Sequence, residues 1–306
     1  MRSVANTGKI TRAMEAVSAT KMRKAQAVAL AARPYAAKAL ELLEHVSEKT
    51  NAQHWLLNAR PIEKIAVVLV TSDKGLCGVL NANVLRKFES FIEKTAEGHT
   101  SHVVTPPRRH PYAFFDIISV GRFGASYARR RGYGVVKEFE GIGDIATLGA
   151  STPISQYVLR AYEFKQYDAV YAIYANFKSV LKQESVVRQL LPLTKEALRE
   201  MVRGISSKAV IGNPKSAQYA HEYKFEPSPD EILNTLLPVL VEAQLYHVLL
   251  EANASEHSAR MIAMKNASEN AKELLETLRL TYNNARQAGI TREIAEITGG
   301  AAALAG

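Results

Sequence analysis

Both ends of the 306-residue chain carry helix-forming stretches that are too long for a single globular core to bury. Residues 3–49 are dominated by Ala, Met, Lys, Arg, Leu and Glu, and Pro34 is their single proline. Residues 228–231 (Ser-Pro-Asp-Glu) form a capping box with proline at the first helical position, and a helical pattern runs from there to about Ala288. A helix of some 45 residues is about 70 Å long. We therefore expect the two terminal helices to pair, most simply as an antiparallel coiled coil.

The C-terminal stretch supports this expectation, because a heptad pattern can be laid along it from residue 254 onward. One predicted seam contains Met261, Leu275 and Tyr282, and the other contains Met264 and Leu278. Small and apolar residues fill most of the remaining seam positions, which suits helices that approach each other closely.

The middle of the chain has a different pattern. Ile65–Val70 is a continuous apolar run typical of a strand buried on both faces. Further strands are predicted at 114–120, 135–139, 168–174 and 185–191, and helices at 79–95, 125–131 and 155–164. Strands that alternate with helices predict an α/β fold with a mostly parallel, Rossmann-like sheet.

These patterns divide the chain into four segments. We predict a long N-terminal helix (1–57), an α/β domain (58–203), a polar linker (204–227) and a long C-terminal helix (228–306). Residues 99–113, which hold three prolines, are predicted to form a surface loop.

Composition narrows the function classes. Hydrophobic residues make up 47% of the chain and charged residues 23%, as in a chain that forms a core. The lone Cys77 excludes a disulfide scaffold and a cysteine-based zinc site. The longest apolar run, Ile65–Val70, is far shorter than the roughly 20 residues that cross a bilayer, so no transmembrane segment is predicted.

Positive charge is concentrated at the N-terminus. The net charge is +9, and residues 1–38 hold one acid, Glu15, against eight basic side chains: Arg2, Lys9, Arg12, Lys21, Arg23, Lys24, Arg33 and Lys38. Three interpretations are open: a transit peptide, a solvated helix face, or a helix that works against an acidic nucleic acid, membrane or protein surface.

The loop after the first apolar strand is where an α/β fold would place a ligand. Its Asp73, Lys74 and Gly75 could suggest phosphate binding, but neither a P-loop nor a G-x-G-x-x-G pattern is present. The histidines at 99, 102 and 110 have no metal-ligand spacing, and no serine has a nucleophile-elbow context. We therefore predict no catalytic, cofactor-binding or metal-binding residue. The long coiled-coil hairpin beside an α/β domain instead favours a non-catalytic mechanical or scaffolding protein. A nucleotide-binding α/β enzyme and a basic coiled-coil protein that binds nucleic acid remain as alternatives.

Five segments carry a resemblance to a known family. They are residues 6–15 (NTGKITRAME), 17–26 (VSATKMRKAQ), 71–78 (TSDKGLCG), 258–264 (SARMIAM) and 290–303 (ITREIAEITGGAAA). Together they resemble the γ subunits of bacterial F-type ATP synthases, in family order and over nearly the whole chain. One departure is Gly8, where a glutamine is usual.

The resemblance implies a central rotor shaft that couples proton flow through the membrane sector to ATP synthesis on the β subunits. It implies a chain that is not an enzyme by itself and that has no cofactor. The implied partners are the α3β3 ring, the ε subunit and the membrane c-ring, with one copy per complex and no nucleic acid. The implied location is the cytoplasmic face of the bacterial plasma membrane, as a peripheral membrane protein. A lone Cys77 could not form the paired-cysteine redox switch of the chloroplast type.

By family motif, seven residues fall where the shaft contacts the β subunits. These are Met14, Lys21, Arg23, Lys24, Arg260, Gln287 and Thr291.

Overall fold

A computed structural model describes residues 1–31, 54–99, 114–193 and 228–305 of the chain. In chain order its elements are α1 (Arg2–Ala31), β1 (Ile65–Val70), α2 (Leu80–His99), β2 (Phe115–Val120), α3 (Arg122–Arg130), β3 (Gly134–Phe139), α4 (Leu148–Glu163), β4 (Ala169–Phe177), β5 (Gln183–Leu191) and α5 (Pro229–Ala305). The predicted class, an α/β fold with long terminal helices, is confirmed.

The five strands form one mixed, mostly parallel sheet with the order β3-β2-β1-β4-β5. β1 lies at its centre and runs parallel to both neighbours, with Ile65 opposite Phe115 on one side and Ala169 on the other. β3 continues the parallel arrangement, and β5 is antiparallel to β4. The central position explains the unbroken apolar sequence of β1, because all six of its side chains are buried.

Each face of the sheet has its own apolar core. On one face Val68 belongs to a cluster with Ile154 of α4 and Leu237 of α5. On the other face Val67 belongs to a cluster with Phe88 and Ile92 of α2. Alternate residues of β1 therefore hold helices on opposite sides of the sheet, as the period of a strand requires.

The chain divides into two compact units. The terminal unit comprises Met1–Ser18 and Arg260–Gly306, and the sheet unit comprises Ala19–Ala259. Within the terminal unit the start of α1 packs on the later part of α5, as expected of an antiparallel pair, and a Cβ added at Gly8 would lie 3.4 Å from the Cβ of Ala271. Thr11 and Met264 are buried there.

Several element boundaries differ from the predicted ones. α4 begins seven residues before the predicted 155, because the Thr147 hydroxyl caps it by accepting a hydrogen bond from the Ala150 N–H at 3.3 Å. α5 runs beyond Ala288 to Ala305. At its start the predicted cap is present, since Ser228 Oγ accepts from the Glu231 N–H at 3.3 Å.

Three predictions fall outside the described residues: the continuation of the first helix through residues 32–49, the linker at 204–227, and the loop at 99–113 except for His99, which ends α2. The predicted bounds of the four segments stay predictions.

By length and composition, one described helical segment could cross a membrane. Glu231–Ala301 contains an 18-residue window of mean hydropathy 1.4, and half of that window is buried inside the protein. The buried core helix of a soluble protein meets the same criterion, so this finding is weak evidence for a membrane span.

Candidate functional site

The seven residues predicted to contact β subunits lie on α1 and α5 in three kinds of environment. Met14 and Lys21 are half-buried, and Arg260 is buried with 6% of its surface exposed. The remaining four are exposed: Arg23, Lys24, Gln287 and Thr291. The exposed four are therefore available to a partner surface as they stand.

The predicted seam residues become more exposed along α5. Met264 is buried, and Met261, Leu275 and Leu278 are half-buried. Tyr282 is 55% exposed. From residue 279 onward every α5 residue whose burial is described is exposed, and these include Leu280, Ile290, Ile294 and Ile297.

Lys21 differs from its basic neighbours because it forms an ion pair within the sheet unit. Its Nζ lies 2.7 Å from Asp144 Oδ2, and Lys74 Nζ lies 3.5 Å from the other carboxylate oxygen. The hydrogen bond from Lys21 holds the pKa of the Asp144 carboxyl below its usual value, although partial burial opposes this shift; the charges of Lys21, Lys74 and His257 add to the lowering. One of the eight N-terminal basic side chains is thus already paired within the chain.

The loop after β1 lies at the carboxyl ends of the parallel strands and lines a cavity of about 140 Å³. Its polar side chains bond to the protein itself. Asn81 donates to Ser72 Oγ at 2.6 Å and accepts from the Ser72 N–H at 3.2 Å. The two Asp73 oxygens accept from the N–H groups of Arg122 at 3.1 Å and Gly141 at 3.0 Å. Asp73 therefore joins three loops, and a carboxylate at this position disfavours a phosphate ligand.

A close backbone crossing at the same strand ends constrains Gly121. Its φ is 92°, and a Cβ there would lie 2.1 Å from the Thr71 carbonyl oxygen. The Thr71 hydroxyl accepts from the Gly124 N–H at 2.8 Å, which ties the end of β1 to the start of α3. Only glycine fits this conformation and this space.

The part of the chain that the structure describes contains no group of three or more His, Cys, Asp or Glu side chains that could hold a metal ion. His102 and His110 of the predicted surface loop lie outside those residues.

Sequence reasoning missed a buried polar cluster centred on Glu251 of α5. The Tyr174 hydroxyl donates to Glu251 Oε2 at 2.5 Å, His247 Nε2 lies 3.1 Å from Oε1, and Arg188 Nη1 lies 3.8 Å from Oε2. A signal was present, because polar residues recur every three or four positions within an otherwise apolar stretch of α5. The heptad pattern predicted for α5 begins at residue 254 and includes neither His247 nor Glu251.

A family model described as ATP synthase matches residues 1–304. An ATP synthase gamma chain from Pelotomaculum thermopropionicum is 39% identical over 99% of this chain and 96% of its own length. A second ATP synthase gamma chain, from Roseiflexus sp. strain RS-1, is 40% identical over 100% of this chain and 96% of its own.

Two solved structures share the fold. One is the central stalk and c-ring structure of the Tetrahymena thermophila mitochondrial ATP synthase, with a TM-score of 0.54 at 23% identity, covering 85% of this chain and 99% of that chain. The other is the Euglena gracilis mitochondrial ATP synthase OSCP/F1/c-ring structure, with a TM-score of 0.53 at 16% identity, covering 98% and 95%.

Proposed function

The chain belongs to the family of ATP synthase gamma chains, and from this premise we propose how its described parts serve a rotary complex. It is the central-stalk rotor subunit of an F-type ATP synthase and is not catalytic by itself. In the proposed mechanism, proton flow through the membrane sector turns the chain, and its rotation drives ATP synthesis on the β subunits.

The exposed end of α5 is the observation that carries this proposal. Ile290, Ile294 and Ile297 recur at helical spacing on one face, and the last is 71% exposed. A soluble helix that presents such an apolar face needs a partner surface. A helix enclosed in an apolar sleeve formed by the α3β3 ring would have one.

We further propose that Met14, Lys21, Arg23, Lys24, Arg260, Gln287 and Thr291 mark the path of the β subunits along the shaft. Arg23 and Lys24 are exposed and basic, so they suit an acidic partner surface. Gln287 and Thr291 are one helical turn apart, so one exposed face of α5 can present both.

The finer assembly is proposed from the family alone: one copy of the chain per α3β3 ring, contact with ε and the membrane c-ring, and a peripheral position on the cytoplasmic face of a bacterial plasma membrane. The solved neighbours are themselves complexes that contain a c-ring, in keeping with this arrangement.

Co-expression with α and β subunits tests the proposal. We expect size-exclusion chromatography to yield one copy of the chain per α3β3 ring. Replacing Ile290, Ile294 and Ile297 with Asp should abolish co-elution, because three carboxylates would enter an apolar sleeve. The double change Arg292→Gln with Glu296→Gln alters the opposite face without changing the net charge and should leave assembly intact. If the wild-type chain is co-expressed and the α3β3 ring is recovered without it, the proposal is contradicted.

A further inference from the structure

A line of buried polar side chains runs along the face of α5 that packs on β4, β5 and the turn between them. It consists of Gln244, His247, Glu251, Ser255 and Ser258, all within the sheet unit. Their spacing of three or four residues places them on one side of the helix. We call these five residues the polar line. The polar line is unusual because the neighbouring α5 side chains that pack in the same core are leucines and valines.

Glu251 lies near the middle of the polar line and is 6% exposed. It accepts a hydrogen bond from Tyr174 of β4 and contacts His247 of its own helix, and Arg188 of β5 completes the charge pairing. Burial alone would raise the pKa of the Glu251 carboxyl, but the hydrogen bonds and charges of these three partners outweigh it and hold the pKa below its usual value. Glu251 therefore remains ionised while buried.

The flanks of the polar line bond to the sheet at two separated points. Gln244 Nε2 donates to the Gln189 carbonyl at 3.2 Å. Ser258 Oγ donates to the Val180 carbonyl at 2.6 Å and accepts from Gln183 Nε2 at 3.3 Å. Since Gln183 and Gln189 lie near opposite ends of β5, these bonds and those of Glu251 fix α5 at three places along the strand.

Such a cluster is a costly way to gain stability. A buried ion pair is often no better than apolar residues of the same size, because desolvation offsets the attraction. Among the described residues, four buried polar atoms of this region also have no hydrogen-bond partner: Arg188 Nη1, Gln244 Oε1, His247 Nδ1 and Ser255 Oγ. Hydrogen bonds do, however, fix the position of α5 on the sheet. Apolar contacts are non-directional, whereas hydrogen bonds weaken steeply when a helix slides or turns.

We propose that the polar line is a latch that fixes the rotation and axial position of α5 on the sheet, with Glu251 as its central positioning residue. In a rotor, torque must pass between the sheet unit and the helix that continues to Ala305. If the contact between α5 and the sheet were purely apolar, the helix could turn about its own axis against the sheet. Part of each rotation would then not be transmitted. The inference rests on the proposed function, because the latch matters only if the chain turns under load.

An apolar replacement separates positioning from stability. The variant Tyr174→Phe, Arg188→Met, His247→Leu, Glu251→Leu removes every charge of the cluster while keeping its volume. In the assembled complex we expect a melting temperature within about 5 °C of wild type. We expect protons pumped per ATP hydrolysed, measured in inverted membrane vesicles, to fall about two- to fivefold. Glu251→Gln keeps one acceptor oxygen for the Tyr174 hydroxyl, and its amide group can donate to Nε2 of a neutral His247, so this variant should retain most of the wild-type ratio.

The matched control is Val248→Ala, which removes buried apolar volume from the same helix. It should lower the melting temperature and leave the pumping ratio unchanged. An apolar variant with the wild-type ratio would overturn the latch, as would an equal loss of ratio in Val248→Ala. If the apolar variant does not fold, the isosteric Tyr174→Phe decides alone, and an unchanged ratio there rejects the proposal.

The wild-type chain separates this inference from the proposed function. If it neither assembles with α and β nor supports pumping, the proposed function fails. The latch is then tested on the chain alone by amide hydrogen exchange. Exchange over residues 244–258 should be faster in Tyr174→Phe than in the wild-type chain, while β1 stays protected in both. Equal protection of residues 244–258 in the variant and the wild-type chain would reject the latch.

Discussion

Gly121 lies where two strand ends leave no space for a side chain. Its N–H donates to the Phe139 carbonyl at 2.9 Å, and its positive φ is combined with an approach to the Thr71 carbonyl that a Cβ would bring to 2.1 Å. Gly121→Ala should therefore lower the free energy of unfolding by about 3 kcal/mol through strain and overlap together. Urea denaturation of the full chain measures this change.

The matched control for that substitution is Gly132→Ala. Gly132 also has a positive φ, 79°, but a Cβ there would meet nothing within 4 Å. We expect a loss of only about 1 kcal/mol, from backbone strain alone. Equal losses at the two glycines would show that the close approach to Thr71 contributes nothing.

The Lys21–Asp144 ion pair predicts a pH dependence. Because the native pKa of Asp144 lies below its unfolded value of about 3.9, the pair stabilises the fold above that pH. This contribution is lost as pH falls through the lower native pKa. Lys21→Gln should lower the free energy of unfolding by about 0.5 kcal/mol at pH 6, since both side chains are partly exposed.

Urea denaturation at a series of pH values tests this prediction. The difference between wild type and Lys21→Gln should shrink below about pH 4. Lys24→Gln, at an exposed position one turn away, should show no such convergence. A Lys21→Gln difference that stays constant from pH 6 to pH 2.5 would contradict the pairing.

Residue roles were the hardest part to predict from the sequence. The loop after β1 was considered as a ligand site, but Asp73 bonds to Arg122 and Gly141, which are far along the chain, so no local pattern reveals its role. Glu251 was missed because its partners Tyr174 and Arg188 lie on two strands. Both roles arise from tertiary contact, which one sequence without relatives does not show.

At the scale of elements, the pairing of α1 with α5 predicts opposite effects for two substitutions at Gly8. A Cβ there would lie 3.4 Å from Ala271 Cβ, an ordinary contact, so alanine fits. Gly8→Ala should raise the free energy of unfolding by about 0.5–1 kcal/mol through better helix propensity. Gly8→Leu should lower it by about 1–3 kcal/mol by forcing the helices apart.

Thermal unfolding followed by circular dichroism at 222 nm measures both changes at Gly8. Gly289→Ala provides the control for propensity alone, because nothing lies within 4 Å of a Cβ at that position on α5. If Gly8→Leu stabilises the chain as much as Gly8→Ala does, the two helices do not approach each other at this point.

Element identity was more predictable than element boundaries and strand direction. β1 was predicted at its observed bounds because a strand buried on both faces has an unbroken apolar sequence. The start of α4 was missed because Gly149 and Pro153 both disfavour helix, although the cap at Thr147 and tertiary packing override them. The antiparallel direction of β5 is explained by its short connection to β4, which leaves no room for a crossover helix.

At the scale of the whole molecule, charge is the property that the chain alone does not explain. The net charge is +9, and the first 38 residues contribute +7 of it. Lys21 is neutralised by Asp144, whereas Arg23 and Lys24 are exposed on the same helix. Sequence reasoning could detect the excess but not this division, because the division depends on which of these side chains lies beside Asp144 within the sheet unit.

Arg23 and Lys24 therefore provide a sharper test of the acidic partner surface than the whole basic stretch. The double variant Arg23→Gln with Lys24→Gln keeps helix propensity and removes two exposed charges. If these residues are attracted to acidic loops of the β subunits, protons pumped per ATP hydrolysed should fall about twofold at low salt. The difference from wild type should narrow at moderate salt, because screening already weakens the attraction in the wild-type complex. Lys21→Gln removes one charge that Asp144 already holds, so it should lower the ratio less than the double variant does and with a weaker dependence on salt. A double variant with the wild-type ratio at both salt concentrations would assign Arg23 and Lys24 to a solvated helix face, and the positive charge of the N-terminus would then need a different partner.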